Sequence, residues 1–135
     1  MCDHNTYDYA VIRVIPKVER EEFINVGVIV SCPSREFLDA AIEVDEARLR
    51  AIDPGLDIET IRNHLAAIRA ICAGGDSAGP IGKLSQRERF HWLVAPRSTM
   101  IQTSPVHSGY CDEPRLVLQH LLKTLVRFAG AAEPS

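Results

Sequence analysis

Two apolar segments near the N-terminus place the strongest limit on how this chain can fold. "YDYAVIRVIPKV" (7–18) and "FINVGVIVSC" (23–32) are rich in β-branched and aromatic residues, which favours strands. In the second segment, alternate positions predict one unbroken apolar face, made of Ile24, Val26, Val28 and Val30. Only the charged turn "EREE" (19–22) separates the two segments. Strands joined by so short a turn pair as an antiparallel hairpin, so the fold has to contain that hairpin.

The rest of the chain alternates further strands with amphipathic helices. "FLDAAIEV" (37–44) and "STMIQTSPV" (98–106) are predicted strands. Asp57 is a suitable N-cap for a long helix whose apolar stripe runs to Cys72, and Gly74 ends that helix. Three shorter helices are predicted over 45–53, over 85–94 behind a capping box of Ser85 and Glu88, and onward from an N-cap at Asp112.

This order of elements predicts an α+β fold, with an antiparallel sheet of three or four strands and helices packed mainly on one face. A chain of 135 residues can bury one substantial core but not two independent ones. We therefore expect a single domain over residues 1–128. The small and polar residues "AGAAEPS" (129–135) are expected to form a disordered tail.

Composition narrows the classes of function. The formal net charge is −3, so the chain lacks the basic footprint of nucleic-acid binding, and no nucleic-acid partner is expected. Its start does not resemble a secretory signal, and no run reaches the roughly 18 apolar residues of a membrane helix. These features predict a cytoplasmic protein that does not contact a membrane. Four widely spaced cysteines predict free thiols, with no metal site and no cofactor.

Two polar residues interrupt the predicted hairpin. Arg13 and Asn25 lie on the less apolar faces of strands that should pair, and Gly27 follows on the second strand. A charged residue on a central strand is either paired or part of a site. The expected partner of Arg13 is one of the glutamates in "EREE" (19–22) or a residue from another strand, and a polar pocket shared with Asn25 is the alternative. Gly27 indicates a bulge or a close approach by another backbone.

A locally basic segment covers residues 83–97. It contains four basic residues, Lys83, Arg87, Arg89 and Arg97, against the single acidic Glu88. Guanidinium groups bind phosphate and carboxylate in a bidentate manner, so the segment is a candidate surface for an anion or an acidic partner. The alternative is structural: these arginines would pair with "EREE" (19–22) and tie the two segments together.

The stretch "HWLVAPRSTMIQTSPVHSG" (91–109) concentrates hydroxyl and imidazole side chains. Ser98 or Ser104 with His107 would resemble a nucleophile and its base, but no G-x-S-x-G elbow is present and Pro105 fixes the backbone between the second pair. The stretch therefore predicts a strand with polar turns at its ends, and no catalytic residue. Ser98 and His107 remain candidates for binding.

Two longer segments resemble a known family. "YDYAVIRVIPKVEREEFINVGVIV" (7–30) and "RFHWLVAPRSTMIQTSPVHSG" (89–109) are similar to the signature segments of the bacterial domain-of-unknown-function-3037 family. The resemblance spans nearly the whole domain and brings no assigned activity with it. Members of that family tend to be encoded beside kinase-like proteins of the HipA type. The resemblance thus implies a kinase-like protein as partner.

Two functional hypotheses follow. The first is a non-enzymatic interaction or regulatory domain that binds another protein, with a HipA-like kinase as the partner that the resemblance implies. Its contacts would be the basic segment 83–97 and the exposed strand edges, and a homo-oligomer is compatible with it. The alternative is a small enzyme or binding module for an anionic, phosphate-containing substrate. Its pocket would be formed by four converging side chains, Arg13, Asn25, Arg97 and His107.

Overall fold

The computed structural model describes residues 5–97 and 99–127, so the expected tail and Ser98 lie outside the described residues. The strands are β1 (Asn5–Val14), β2 (Ile24–Cys32), β3 (Phe37–Ile42), β4 (Ile101–Thr103) and β5 (His107–Cys111). The helices are α1 (Glu46–Ile52), α2 (Ile58–Ala73), α3 (Gln86–Val94) and α4 (Pro114–Leu121), and a π-helical turn (Leu122–Val126) extends α4. Three 3-10 segments cover Val18–Arg20, Pro33–Arg35 and Asp76–Lys83.

The predicted α+β class is confirmed, with a sheet slightly larger than expected. Five antiparallel strands are present, in the order β3-β2-β1, with β4 and β5 both pairing along the outer side of β1. The predicted hairpin is β1 and β2. Helices α1, α2 and α3 cover one face of the sheet, and α4 with its π-helical turn covers the other. Of the helices in the described part of the chain, none is long and apolar enough to cross a bilayer.

Strands β4 and β5 follow one path that is broken by a bulge. Thr103 pairs with Ile12 and His107 pairs with Tyr9, so four steps along one strand match three along the other. At the break, the Val11 amide donates to Ser104 Oγ at 2.8 Å, and the Ser104 amide donates to the Val11 carbonyl at 2.8 Å. The prediction of one strand over 98–106 followed by a turn is therefore wrong, because the chain continues along the sheet edge as β5.

A second bulge interrupts β2. Ile12 pairs with Gly27 but Arg13 pairs with Asn25, which leaves Val26 as the extra residue. The bulge reverses which face the following side chains occupy. Gly27 sits where backbones crowd, since a Cβ there would lie 2.8 Å from the Ala41 carbonyl oxygen. Both structural explanations offered for Gly27 are confirmed.

The β2 bulge divides the apolar residues between two cores. Ile24 and Val26 pack in the core under α1 to α3, whereas Val28 and Val30 pack under α4. The prediction of one unbroken apolar face is wrong for this reason. Each face of β2 nevertheless stays apolar, as a strand buried on both sides requires. The first core also contains Leu49, Leu65 and Phe90, from α1, α2 and α3.

The predicted helix starts hold with one exception. Asp45 accepts from the Arg48 amide at 3.1 Å and Asp57 accepts from the Thr60 amide at 3.2 Å. The capping box of Ser85 and Glu88 is also present. At α4 the capping residue is Glu113, and not the predicted Asp112, because Glu113 reaches the Arg115 amide at 3.2 Å.

Candidate functional site

Arg13 and Asn25 lie opposite each other at the end of the hairpin, on the face covered by α4. The Arg13 guanidinium stacks 4.2 Å from the centre of the Phe23 ring. Asn25 Nδ2 donates to the carbonyl of Leu125, in the π-helical turn, at 2.9 Å. Arg13 Nε and Asn25 Oδ1 are both buried and have no hydrogen-bond partner within residues 5–97 and 99–127. The structure thus brings together two predicted site residues as a polar pair.

The expected ion pair of Arg13 does not form. In the turn, Glu22 pairs with Arg20 instead, and Arg20 Nε donates to Glu22 Oε1 at 2.6 Å. Glu19, Glu21 and Glu22 are all exposed, and none of them pairs with Arg13 in the described part of the chain. That prediction is wrong because Phe23, just before β2, occupies the position over the guanidinium.

Arg89 has a structural role at the end of α2. Its Nη1 donates to the carbonyls of Ile71 at 2.8 Å and Cys72 at 2.6 Å, and its Nε donates to Leu84 at 3.1 Å. The last carbonyls of a helix lack partners within the helix, and a cation there is favoured by the helix dipole. Gly74 leaves the space for this contact, since a Cβ there would lie 3.1 Å from the Arg89 Cζ. Only Nη2 is left for a ligand.

The other three basic residues of segment 83–97 differ in their surroundings. Lys83 and Arg87 are exposed on the surface. Arg97 folds back on α3, with its guanidinium 4.4 Å from the Trp92 ring centre and its Nη2 donating to the Trp92 carbonyl at 2.7 Å. No arginine of the segment pairs with "EREE" in the described residues, so the structural alternative for this segment is wrong.

Arg97 borders a groove of about 310 Å³ between α2, α3 and β4. The side chains that line it are His64, Ala67, Ile68, Ile71, Trp92, Arg97, Thr99 and Ile101. The wall is mostly apolar, with a guanidinium, an imidazole and a hydroxyl at its margin. Grooves of this kind and size hold small organic molecules.

His107 and Ser104 lie on the β4–β5 path, away from this groove. His107 is exposed at the start of β5, with its ring 5.3 Å from that of Tyr9. Ser104 is 4% exposed, and its hydroxyl accepts from Val11 while lying 2.9 Å from the Pro105 carbonyl, to which it donates. The hydroxyl is therefore used by the bulge. Ser98, the other predicted hydroxyl, lies outside the described residues.

The four side chains of the enzyme hypothesis do not share a cleft. Arg13 alternates with Ile12 and Val14, which point into the first core, so Arg13 faces the α4 side. Arg97 lies with Trp92 on the opposite side, against α2 and α3. His107 is on the α4 side, but it pairs with Tyr9, four residues along β1 from Arg13. Only Arg13 and Asn25 are neighbours.

The two edges of the sheet differ in a way that the sequence did not reveal. At β3, Asp39 accepts from the Ala40 amide at 2.8 Å, Gln86 donates to the Phe37 carbonyl at 2.8 Å, and Arg115 reaches Asp39 at 2.7 Å. At β5, only β1 packs extensively against the strand among the described elements. Tyr110 on β5 is 76% exposed. Local sequence gives no sign of these edge contacts, which join residues far apart in the chain.

The cysteines offer no reactive centre in the described residues. Cys32, Cys72 and Cys111 are buried free thiols. Burial raises the pKa of Cys72 to about 12, and it also raises the pKa of Cys111. A thiolate is the nucleophilic and metal-binding form, so Cys72 and Cys111 are poorly suited to either role. No group of three metal-binding side chains is found in the part of the chain that the structure describes.

Comparison with known proteins gives one match. The family model described as "Protein of unknown function (DUF3037)" matches residues 9–126, which is most of the chain. The match covers both bulges, the groove beside Trp92 and the edge at β5. No curated protein and no solved structure matches.

Proposed function

The chain belongs to the DUF3037 family of proteins of unknown function, and we propose that its domain is a non-enzymatic interaction domain that binds another protein along β5. The observation that carries the proposal is the contrast between the two sheet edges. Among the described residues, one edge is covered by side chains from α3 and α4, and the other packs extensively against β1 but against no helix. Unpaired strand edges are ready templates for a further strand, and domains of many kinds bind partners by adding one.

The two edges are engaged by different elements. At β5, Asn5 Nδ2 of β1 donates to the Cys111 carbonyl at 3.3 Å and Ser108 donates to Asp8 of β1, whereas the β3 edge is engaged by side chains from α3 and α4. At β3, one carboxylate, one amide side chain and one guanidinium engage the strand from its own domain. The Arg115 guanidinium also lies 4.8 Å from the centre of the Phe37 ring, which covers that side chain. Charged and polar coverings of this type protect an edge from pairing with another chain. An edge without such protection is favoured where pairing serves a function.

Side chains at β5 suit a partner with apolar residues. Tyr110 is 76% exposed, and Val106, in the bulge just before the strand, is 43% exposed. On the other face of β5, Tyr7 packs across Gly109, whose Cβ would lie 2.7 Å from the Tyr7 hydroxyl oxygen. Tyr9 continues the aromatic row, with its ring 6.1 Å from that of Tyr7. An added strand would gain backbone hydrogen bonds and would contact these rings through alternate side chains.

The identity of the partner is a separate part of the proposal. We retain the kinase-like, HipA-type protein that the family resemblance implies, and we place the interaction in the cytoplasm. The basic segment contributes less than expected, because Arg89 and Arg97 are engaged within the domain and only Lys83 and Arg87 are exposed.

Two matched substitutions test the edge. Tyr110→Lys places a charge on the β5 edge, whereas Leu116→Lys makes the same kind of change at a 64% exposed position on α4. The tagged protein and both variants would be used to recover partners from cells of the source organism, with identification by mass spectrometry. The kinase-like protein that the family resemblance implies would then be purified, and its binding to each variant would be measured by titration.

We expect the wild type and Leu116→Lys to recover one protein near stoichiometry, and Tyr110→Lys to lose it by at least tenfold. Equal recovery by all three would rule out the edge as the contact. A folded wild-type bait that recovers nothing, and does not bind the kinase-like protein, would overturn the interaction function itself. Recovery of a different protein would support the interaction function and would overturn the kinase-like protein as the partner.

The alternative hypothesis, an enzyme or binding module for an anionic substrate, lacks the common cleft that it required. Arg13 with Asn25, Arg97, and His107 lie in three different places. One observation favours the binding part of it, since the Arg97 guanidinium lies at the margin of a mostly apolar groove that no Asp or Glu lines.

A further inference from the structure

We propose that the groove between α2, α3 and β4 binds a small organic carboxylate with an apolar or aromatic body. This site lies on the side of the sheet covered by α1, α2 and α3, and it is independent of the contact proposed at β5. The groove has a volume of about 310 Å³, which matches a molecule of about ten to fifteen non-hydrogen atoms.

The floor of the groove selects an apolar body. Ile71 and Ile101 belong to the core and are only 8% exposed each, so they provide a firm base. One wall is formed by Ala67, which is exposed on α2, and by the half-buried Ile68. A phosphate-rich ligand is disfavoured, because its hydration would be lost against hydrocarbon without replacement.

Arg97 supplies a held cation at the margin. Its guanidinium is fixed by stacking on Trp92 and by the 2.7 Å hydrogen bond to the Trp92 carbonyl. Its Nε and Nη1 have no hydrogen-bond partner among residues 5–97 and 99–127. A donor group that is already held in place loses less conformational entropy on binding. The Arg97 Nη2 carries a second N–H besides the one given to the Trp92 carbonyl. Together with the N–H of either neighbouring nitrogen, Nε or Nη1, it forms a two-pronged donor that matches the two oxygens of a carboxylate.

The charge of the lining points to an anion. No Asp or Glu lines the groove, so the Arg97 charge is not neutralised there by the protein. An amine would be repelled by Arg97 and would find no acceptor carboxylate. Trp92 is 41% exposed and lines the groove. The part of its indole that Arg97 does not cover can contact an aromatic or aliphatic body. Apolar floor, open indole and fixed cation together define the ligand class.

Trp92 is the single tryptophan of the chain, so it reports on this groove directly. We would titrate the full chain with 4-phenylbutyrate and follow both Trp92 fluorescence and the one indole N–H signal in a proton–nitrogen NMR spectrum. Two further compounds test the parts of the ligand separately. 4-Phenylbutyramide has the apolar body without the charge, and acetate has the carboxylate without the apolar body. We expect saturable binding of 4-phenylbutyrate below 1 mM, about tenfold weaker binding of the amide, and no response to acetate.

Two matched substitutions on α2 locate the binding. Ala67→Phe fills the groove, whereas Ala66→Phe adds the same ring at the neighbouring exposed position, which lines the other flank of α2 beside Ile42 and Val44. We expect Ala67→Phe to abolish the response and Ala66→Phe to keep it. In Arg97→Gln, the preference for the acid over the amide should fall from about tenfold to about one.

No change in either Trp92 signal up to 10 mM 4-phenylbutyrate, in a protein that is folded by circular dichroism, would overturn the proposal. Equal responses in Ala67→Phe and Ala66→Phe would show that the ligand binds elsewhere and would overturn it too. Equal affinity of the wild type for acid and amide would overturn the role of Arg97. None of these results depends on the partner-binding experiment at β5.

Discussion

Arg127 holds Glu43 by three hydrogen bonds, with Nη2 at 2.9 Å from Oε1 and Nε at 3.1 and 3.3 Å from the two oxygens. Glu43 follows β3 and Arg127 follows the π-helical turn, so the pair fixes the end of α4 against the sheet. The guanidinium keeps the pKa of the Glu43 carboxyl below its usual value. Both side chains are more than a third exposed, which limits the contribution of the pair.

This pair should make stability depend on pH. The carboxylate is stabilised in the folded state, so its contribution is complete above the usual glutamate pKa of about 4.3 and is lost as the pH falls through the lowered folded pKa. We expect Glu43→Gln to lower the free energy of unfolding by no more than about 1 kcal/mol at pH 7. Urea unfolding at pH 7 and pH 3 checks this. The prediction would be contradicted if the free energies of unfolding of variant and wild type differed as much at pH 3 as at pH 7.

Arg89 should matter for stability far more than its neighbour Arg87. Arg89→Ala removes the donors that reach the last carbonyls of α2, and we expect a loss of about 1.5–3 kcal/mol. Arg87→Ala, at an exposed position of the same helix, should change stability by less than about 0.5 kcal/mol. Denaturant unfolding of both variants measures the contrast, and equal small losses would refute the capping role.

Gly27 should not accept a side chain. In Gly27→Ala the new Cβ would lie 2.8 Å from the Ala41 carbonyl oxygen and 3.0 Å from the Ile12 Cδ1, so β2 and β3 would have to separate. We expect a loss of about 1–3 kcal/mol. Gly55→Ala is the control, since its nearest neighbour would be 3.7 Å away. The unfolding temperatures of both variants check this. A Gly27→Ala variant as stable as the wild type would mean that the strands are free to move apart.

Cys72 should be inert in the folded protein. Its side chain is buried and its pKa is raised to about 12, so almost no thiolate exists at pH 8. We expect alkylation of Cys72 by iodoacetamide at pH 8 to be at least a hundredfold slower than in 6 M guanidinium, followed by peptide mass spectrometry. Comparable rates in both conditions would show that α2 opens often enough to expose the thiol.

Much of the fold was predictable because its causes are local. The hairpin follows from two apolar segments and a short turn, and the caps of α1, α2 and α3 follow from Asp45, Asp57 and Ser85. Of the candidate site, the predicted hairpin placed Arg13 and Asn25 on paired strands, as the structure shows, but the glutamate partner expected for Arg13 was wrong. The sequence also singled out Arg97, the residue on which the proposed ligand site depends, although for a different surface.

What the sequence alone determined is most of the elements, all four helices and every strand except β5, since caps, turn length and residue periodicity act over a few positions. Tertiary structure decided the rest. The two bulges, which choose the face of each side chain, depend on the strand opposite. The contacts that close the β3 edge, cap α2 and hold α4 join residues such as Asp39 and Arg115, or Glu43 and Arg127, that are 76 and 84 positions apart. Such pairs are selected by the packed fold as a whole, and no local pattern in the chain encodes them.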